Sequence, residues 1–162
     1  MKYAVIDIGS NSVRLLLWAD GCSLSKTVLT TRLGEGISFS PTLLPQAIDR
    51  TVAAISELLK KAQDFGAVKI YAFATAAVRS AVNGQDFIHT VYENCGIIPE
   101  ILRGEEEAEA GYLGALEGRD GGIVDVGGAS SEITIGKNGK IIYAVSADVG
   151  AVRLKDVCRE DK

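Results

Sequence analysis

Short runs of apolar residues, bounded by polar turns, fill the first thirty residues, and this is the signature of strands. Lys2–Ile8 and Val13–Trp18 are rich in Val, Ile and Leu and are separated only by the short run GSNS. A third strand is expected over roughly Ser25–Arg32, after a tight turn at Asp20 and Gly21. Short turns between three strands predict an antiparallel meander. The period then changes. Leu44, Ala47, Ile48, Val52, Ile55, Leu58 and Leu59 recur at helical spacing and predict a helix over Thr42–Phe65, with Thr42 as its N-cap and Gly66 as its stop. Strand and helix then alternate. The pattern predicts a strand at Val68–Ala74, a loop or helical turn carrying Arg79, a helix at Gln85–Asn94, a short strand at Pro99–Leu102 and a helix at Gly104–Leu116.

From Gly121 the meander begins again. Gly122–Val126, Ser131–Ile135 and Lys140–Ala144 read as strands, and Val149–Val157 as the start of a helix. The order is therefore βββαβαβα followed by a partial second copy. This predicts an α/β architecture: a ribonuclease-H-like lobe at residues 1–120 and the first strands of a second such lobe at 121–162.

Composition narrows the class. Hydrophobic residues make up 47% and charged residues 23%, as in ordinary globular domains. The net charge of −4 and the lack of a basic stripe argue against double-stranded nucleic acid as a partner. No apolar run approaches the roughly 20 residues that cross a bilayer, and no basic-then-apolar leader opens the sequence. The cysteines, Cys22, Cys95 and Cys158, are odd in number and widely spaced, which fits reduced thiols in a cytoplasmic protein.

The candidate chemistry sits in the two hairpins. In YAVIDIGSNSVRLLL, Asp7 ends an apolar strand, Gly9 makes the turn, and Ser10 and Ser12 supply hydroxyls. In IVDVGGASSEITIG, Asp125 precedes Gly127 and Gly128, with Ser130, Ser131 and Glu132 just beyond. A turn without side chains lets a phosphate reach backbone N–H groups, and carboxylates beside it suit a divalent cation. Each aspartate alone could merely bond its own turn. Two such hairpins favour a site built from facing loops that holds a polyanion with a metal ion. Glu105–Glu107 are, singly, most simply a dipole-matched helix start, and helical spacing does not select among them. Arg79, Arg32 and Arg14 could each be surface charges, and His89 is assigned no chemistry. There is no GxxxxGK[ST], GxGxxG or GxSxG motif.

Five ordered segments carry a family resemblance: AVIDIGSNSVRLLL, TRLGEGI, FATAAVR, LRGEEEAEAGYLGAL and IVDVGGASSEITIG, with DVGAVRL following. Together they resemble the exopolyphosphatase/guanosine pentaphosphate phosphohydrolase (Ppx/GppA) family, within the superfamily of actin, heat-shock chaperones and sugar kinases. The resemblance implies an actin-like ATPase fold and Mg²⁺-dependent release of terminal orthophosphate from polyphosphate or guanosine pentaphosphate. It implies that Asp7, Gly9, Ser10, Asn11 and Ser12 form one phosphate loop, and Asp125, Gly127, Gly128, Ser130 and Ser131 the other. It further implies that Arg79 contacts substrate, that Asp125 and Glu132 hold the metal or orient water, and that Glu106 aligns with the catalytic glutamate.

Two residues depart from the family pattern. Arg103 stands where a small residue is usual, and Ala129 where a third glycine is usual. Family members also continue through a complete second lobe. Two rival readings therefore stand beside the hydrolase: a nucleotide-dependent kinase or ATPase of the superfamily, and a non-catalytic lobe that binds phosphate weakly. An incomplete second sheet would leave an edge and apolar surface uncovered, so self-association is expected.

Overall fold

A computed structural model describes residues 1–158; the last four residues of the expected second unit lie outside them. Strands β1 (Lys2–Ile8), β2 (Ser12–Ala19) and β3 (Cys22–Thr30) form the expected meander. Asp20 and Gly21, with φ of 52° and 84°, make its second turn. Helix α1 (Pro45–Asp64), strand β4 (Lys69–Ala74), helices α2 (Ala76–Ser80) and α3 (Gly84–Cys95), strand β5 (Glu100–Ile101) and helix α4 (Gly104–Leu116) follow. The first sheet has the order β3-β2-β1-β4-β5, with β4 parallel to both β1 and β5. This is the ribonuclease-H-like arrangement the element order predicts. A second, antiparallel sheet has the order β6-β7-β8, from β6 (Gly121–Val126), β7 (Ser131–Lys137) and β8 (Lys140–Ala147), and helix α5 (Ala151–Val157) ends the described chain.

One boundary moves for a clear reason. Helix α1 starts at Pro45, not Thr42, because Pro suits the first helical position, where its missing N–H is no loss. The Asn83 side chain also clamps the backbone of Leu43 from both sides, at 2.8 and 3.0 Å, and holds that segment extended.

Strand alternation decides which face of the first sheet carries function. Ala4, Ile6 and Ile8 point to one face of β1, with Val13 and Leu15 beside them from β2. Helices α1 and α3 cover that face with Ile55, Leu58, Phe87 and Val91, each fully buried. Burial of each such side chain contributes about 1.5–3 kcal/mol. The intervening residues, Val5, Asp7 and Arg14, necessarily face the other way. There, α4 packs on the second sheet through Ala108 and Tyr112. The Tyr112 ring lies over Gly136, so close that a Cβ there would sit 2.0 Å from the phenol oxygen.

Candidate active site

A cavity of about 440 Å³ opens between the uncovered face of the first sheet, α4 and the near end of the second sheet. Both glycine loops line it. Asp7, Gly9, Ser10, Asn11 and Ser12 come from the β1–β2 turn. Asp125, Gly127, Gly128 and Ser130 come from the β6–β7 turn, with Glu132 from β7. The loops touch each other: a Cβ on Gly128 would lie 3.0 Å from the Ser10 Cβ and 3.2 Å from the Asn11 nitrogen. A side chain at Gly128 would therefore force the loops apart.

The loop backbones are tied from outside the cavity. The Ser10 carbonyl accepts from Gly34 N–H at 2.8 Å, and the Asn11 carbonyl from Thr31 and Arg32 N–H at 3.1 and 2.9 Å. Among the described residues, the N–H groups of Ser10, Asn11, Gly128 and Ala129 donate to no protein acceptor. Unspent donors on a cavity wall suit an anion. Ala129 is unstrained, since the non-glycine residues with positive φ are Asp20, Arg32, Glu117 and Asn138. Alanine thus replaces the family's third glycine without backbone cost.

The carboxylates crowd one another. Burial raises the Asp7 pKa and the Asp125 charge raises it further, while Arg14 lowers it. Arg14 stands opposite Asp7 in the strand register, 3.6 Å from its carboxylate, and lines the cavity. The sequence left it as a possible surface charge; its odd offset from the core positions Val13 and Leu15 was the available signal. Glu132 is buried and accepts a hydrogen bond from the Ser146 hydroxyl at 2.7 Å.

The three glutamates of α4 separate clearly. Glu106, in the third position of the helix, turns back to accept from the Arg103 backbone N–H at 2.8 Å. The Arg103 guanidinium also holds it, at 2.7 and 3.0 Å, and these bonds lower its pKa. Glu106 borders the cavity, but its carboxylate is committed to capping the helix. Glu107, about 100° further round the helix, faces the cavity. Arg79 donates to it at 3.1 Å and to the Leu102 carbonyl at 2.6 Å. Burial raises the Glu107 pKa, Glu132 and Asp7 raise it too, and Arg79 opposes the shift. The sequence offered one clue: a residue three places after an N-cap tends to be spent on the cap. Arg103→Ala keeps the backbone N–H but removes the guanidinium, and is expected to raise the Glu106 pKa toward the ordinary glutamate range, read by carboxyl NMR titration. An unchanged value would contradict the cap assignment.

Two expected ligands are placed elsewhere. Arg79 does not line the cavity but supports Glu107 from behind. Ser131 also lies outside the lining, because its hydroxyl is spent on the Val149 carbonyl. Thr75 and Ala110, given no role in the sequence reading, also form part of the wall.

The donor set fits Mg²⁺: hard carboxylate oxygens from Asp7, Asp125, Glu107 and Glu132 beside serine hydroxyls. Among the described residues no three such ligands converge into a ready-made cage. That also suits Mg²⁺, which commonly takes one or two carboxylates and completes its shell with water and phosphate oxygens.

Comparison with known proteins agrees with this architecture. Exopolyphosphatase 2 of Mycobacterium tuberculosis is 33% identical over 175 residues, covering 97% of this chain and 54% of that protein. An exopolyphosphatase structure from Cytophaga hutchinsonii superposes with a TM-score of 0.90 at 27% identity, covering 98% of this chain and 54% of the other. The Aquifex aeolicus Ppx/GppA phosphatase gives 0.79 at 30% identity, covering 97% of this chain and 55% of the other. The chain thus spans about half the length of these relatives. A more distant likeness, TM-score 0.55 at 13% identity to Spiroplasma citri MreB5, reflects the shared actin-like ATPase fold alone. The sequence profile of the Ppx/GppA phosphatase family matches residues 20–162, and the chain belongs to that family.

Proposed function

We propose that the cavity binds the terminal phosphates of inorganic polyphosphate, or the 5′-phosphates of guanosine pentaphosphate, and hydrolyses the last phosphoanhydride bond. The observation that carries this reading is the pair of glycine loops facing one cavity with unspent N–H donors, beside Glu107, the cavity-lining α4 carboxylate that Arg103 does not hold. Membership of a phosphatase family and relatives named exopolyphosphatase support it.

Phosphoanhydride hydrolysis needs positioning and charge neutralisation more than covalent chemistry. The two loops and the hydroxyls of Ser10, Ser12 and Ser130 would hold the terminal phosphate. Glu107 would orient a water and take its proton as the oxygen attacks phosphorus, and the chain shortened by one phosphate would leave. Its raised pKa makes Glu107 a better proton acceptor than an ordinary glutamate. Glu106, which the family alignment suggested for this role, is occupied by Arg103 and suits it less well. Asp7, Asp125 and Glu132 would hold Mg²⁺, which when bound offsets their mutual repulsion and the charge of the phosphates.

In this reading residues 1–120 form one lobe and 121–162 begin a second, with both phosphate loops inside the present chain. The free thiols of Cys22, Cys95 and Cys158 fit a reducing, cytoplasmic setting. Among the described residues no helix is long and apolar enough to cross a membrane.

The second sheet carries an apolar row away from α4. Val124, Ile133 and Val145 stand in register and are 68%, 42% and 39% exposed. Self-association through this row or by strand exchange follows, and light scattering should find species larger than a monomer; a monodisperse monomer would contradict it.

The functional test is orthophosphate release from long-chain polyphosphate, guanosine pentaphosphate and ATP, measured in parallel with Mg²⁺. The reading expects release from one of the first two in preference to ATP. Release from ATP alone would replace it with a nucleotide-hydrolysing function.

A further inference from the structure

Helix α5 lies behind the second phosphate loop and takes no part in the chemistry described above. Its first turn nevertheless holds that loop at three successive carbonyls. Ala151 N–H donates to the Gly127 carbonyl at 2.9 Å, and the N–H groups of Val152 and Arg153 donate to the Gly128 carbonyl at 2.7 and 3.2 Å. The Arg153 Nε donates to the Ala129 carbonyl at 2.8 Å. In a planar trans peptide the carbonyl and the following N–H point in opposite directions. Pinning these three carbonyls outward therefore turns the N–H groups of Gly128, Ala129 and Ser130 the other way, and all three residues line the cavity. Two of the three peptides are set by backbone bonds that any residue could make. The third, which aims the Ser130 N–H, depends on one side chain.

Arg153 also reaches beyond the second loop. Its Nη2 donates to the Ser80 hydroxyl at 3.3 Å and stands 3.6 Å from Asp148. Ser80 follows Arg79, the residue that supports Glu107. The Arg153 carbonyl accepts from the Ser38 hydroxyl at 3.4 Å, and Asp156 accepts from Gly36 N–H at 3.1 Å. One guanidinium thus joins the second loop to the helix that carries the support of Glu107.

We propose that Arg153 is a positioning residue for phosphate: it fixes the Ala129 peptide so that the Ser130 N–H faces the substrate, and it holds that loop in place against α2. This rests on the cavity being a phosphate site. The bond to a neutral carbonyl is charge-assisted, so its loss should be visible in affinity.

The test titrates the full chain with tripolyphosphate and Mg²⁺ by calorimetry, for wild type, Arg153→Met, Arg153→Lys and Ser80→Ala. Arg153→Met is expected to weaken binding by roughly tenfold or more, with Lys intermediate because it lacks the planar fork. Ser80→Ala should weaken binding less, and should add nothing in the Arg153→Met background. That non-additivity assigns the Ser80 effect to its contact with Arg153, and thermal melts showing every variant folded at the titration temperature separate positioning from loss of stability. Equal affinity in wild type and Arg153→Met, or additive effects, would overturn the proposal. If wild type binds no tripolyphosphate, the phosphate reading of the cavity fails instead. The amide spectrum then still decides the role of Arg153: the Ser130 and Ser80 resonances shift in Arg153→Met if it orients that peptide, and stay in place if it does not.

Discussion

Glu107→Gln is expected to cut orthophosphate release from polyphosphate by about 10²–10⁴-fold, the usual contribution of a positioned general base. Glu106→Gln should leave release within a few-fold of wild type, because its carboxylate is spent on Arg103 and the helix N-terminus. The two variants change adjacent residues of one helix, so they share length and net charge. Only the direction of the side chain separates them. Release that survives in Glu107→Gln and disappears in Glu106→Gln would restore the assignment that the family alignment suggested.

The same carboxylate predicts a pH dependence. Burial, Glu132 and Asp7 raise the Glu107 pKa, so in the metal-free chain its carboxyl should titrate with a midpoint above the ordinary glutamate range, read by carboxyl NMR. Arg79→Met removes the one influence that opposes the shift, and should move that midpoint further up. Stability runs the other way. Asp7 and Glu107 bind protons more tightly in the folded chain than in the unfolded one. Stability therefore falls as pH rises from the ordinary carboxylate range through their raised values. A urea titration at several pH values checks this.

Gly150→Ala should be the most damaging single-methyl change to the second loop. A Cβ at Gly150 would lie 2.4 Å from the Gly128 oxygen, 2.5 Å from its carbon and 2.7 Å from the Ala129 nitrogen. All three are backbone atoms, so no side chain can swing aside, and the loop itself must move. Overpacking of this kind costs roughly 1–3 kcal/mol. The larger loss is in function, since a displacement of about 1 Å can cost about 10²-fold. Gly136→Ala is the useful contrast. Its Cβ would meet the Tyr112 side chain at 2.0 Å, far from the phosphate loops. It should lower thermal stability with little effect on phosphate affinity in the folded fraction. Equal affinity in Gly150→Ala and wild type would show that the loop tolerates displacement.

Much of this architecture was legible because it rests on local periodicity. The β1–β2 and β7–β8 hairpins announce themselves by apolar residues and by turn residues, and the ribonuclease-H-like arrangement follows from the order of elements. The two loops were legible because glycine, serine and aspartate at a strand end have few other uses in combination. What was not legible depends on direction rather than on residue type. Three consecutive glutamates look alike in sequence, and only the structure shows that Arg103 holds one of them, Glu106, at the helix N-terminus. Arg14 reads as a surface charge until the β1–β2 register places it opposite Asp7. Ser131 looks like a loop ligand until the Val149 carbonyl claims its hydroxyl. The start of α1 was misplaced because Asn83, some forty positions away, holds Leu43 extended.

The most direct test of the central claim is calorimetric titration of this chain with tripolyphosphate in the presence and absence of Mg²⁺, beside ATP. Both loops, Arg79 and Glu107 lie within the chain. The account therefore predicts saturable 1:1 binding of tripolyphosphate that strengthens with Mg²⁺, exceeds that of ATP and is lost in Asp7→Asn/Asp125→Asn. No binding, or tighter binding of ATP, would contradict it.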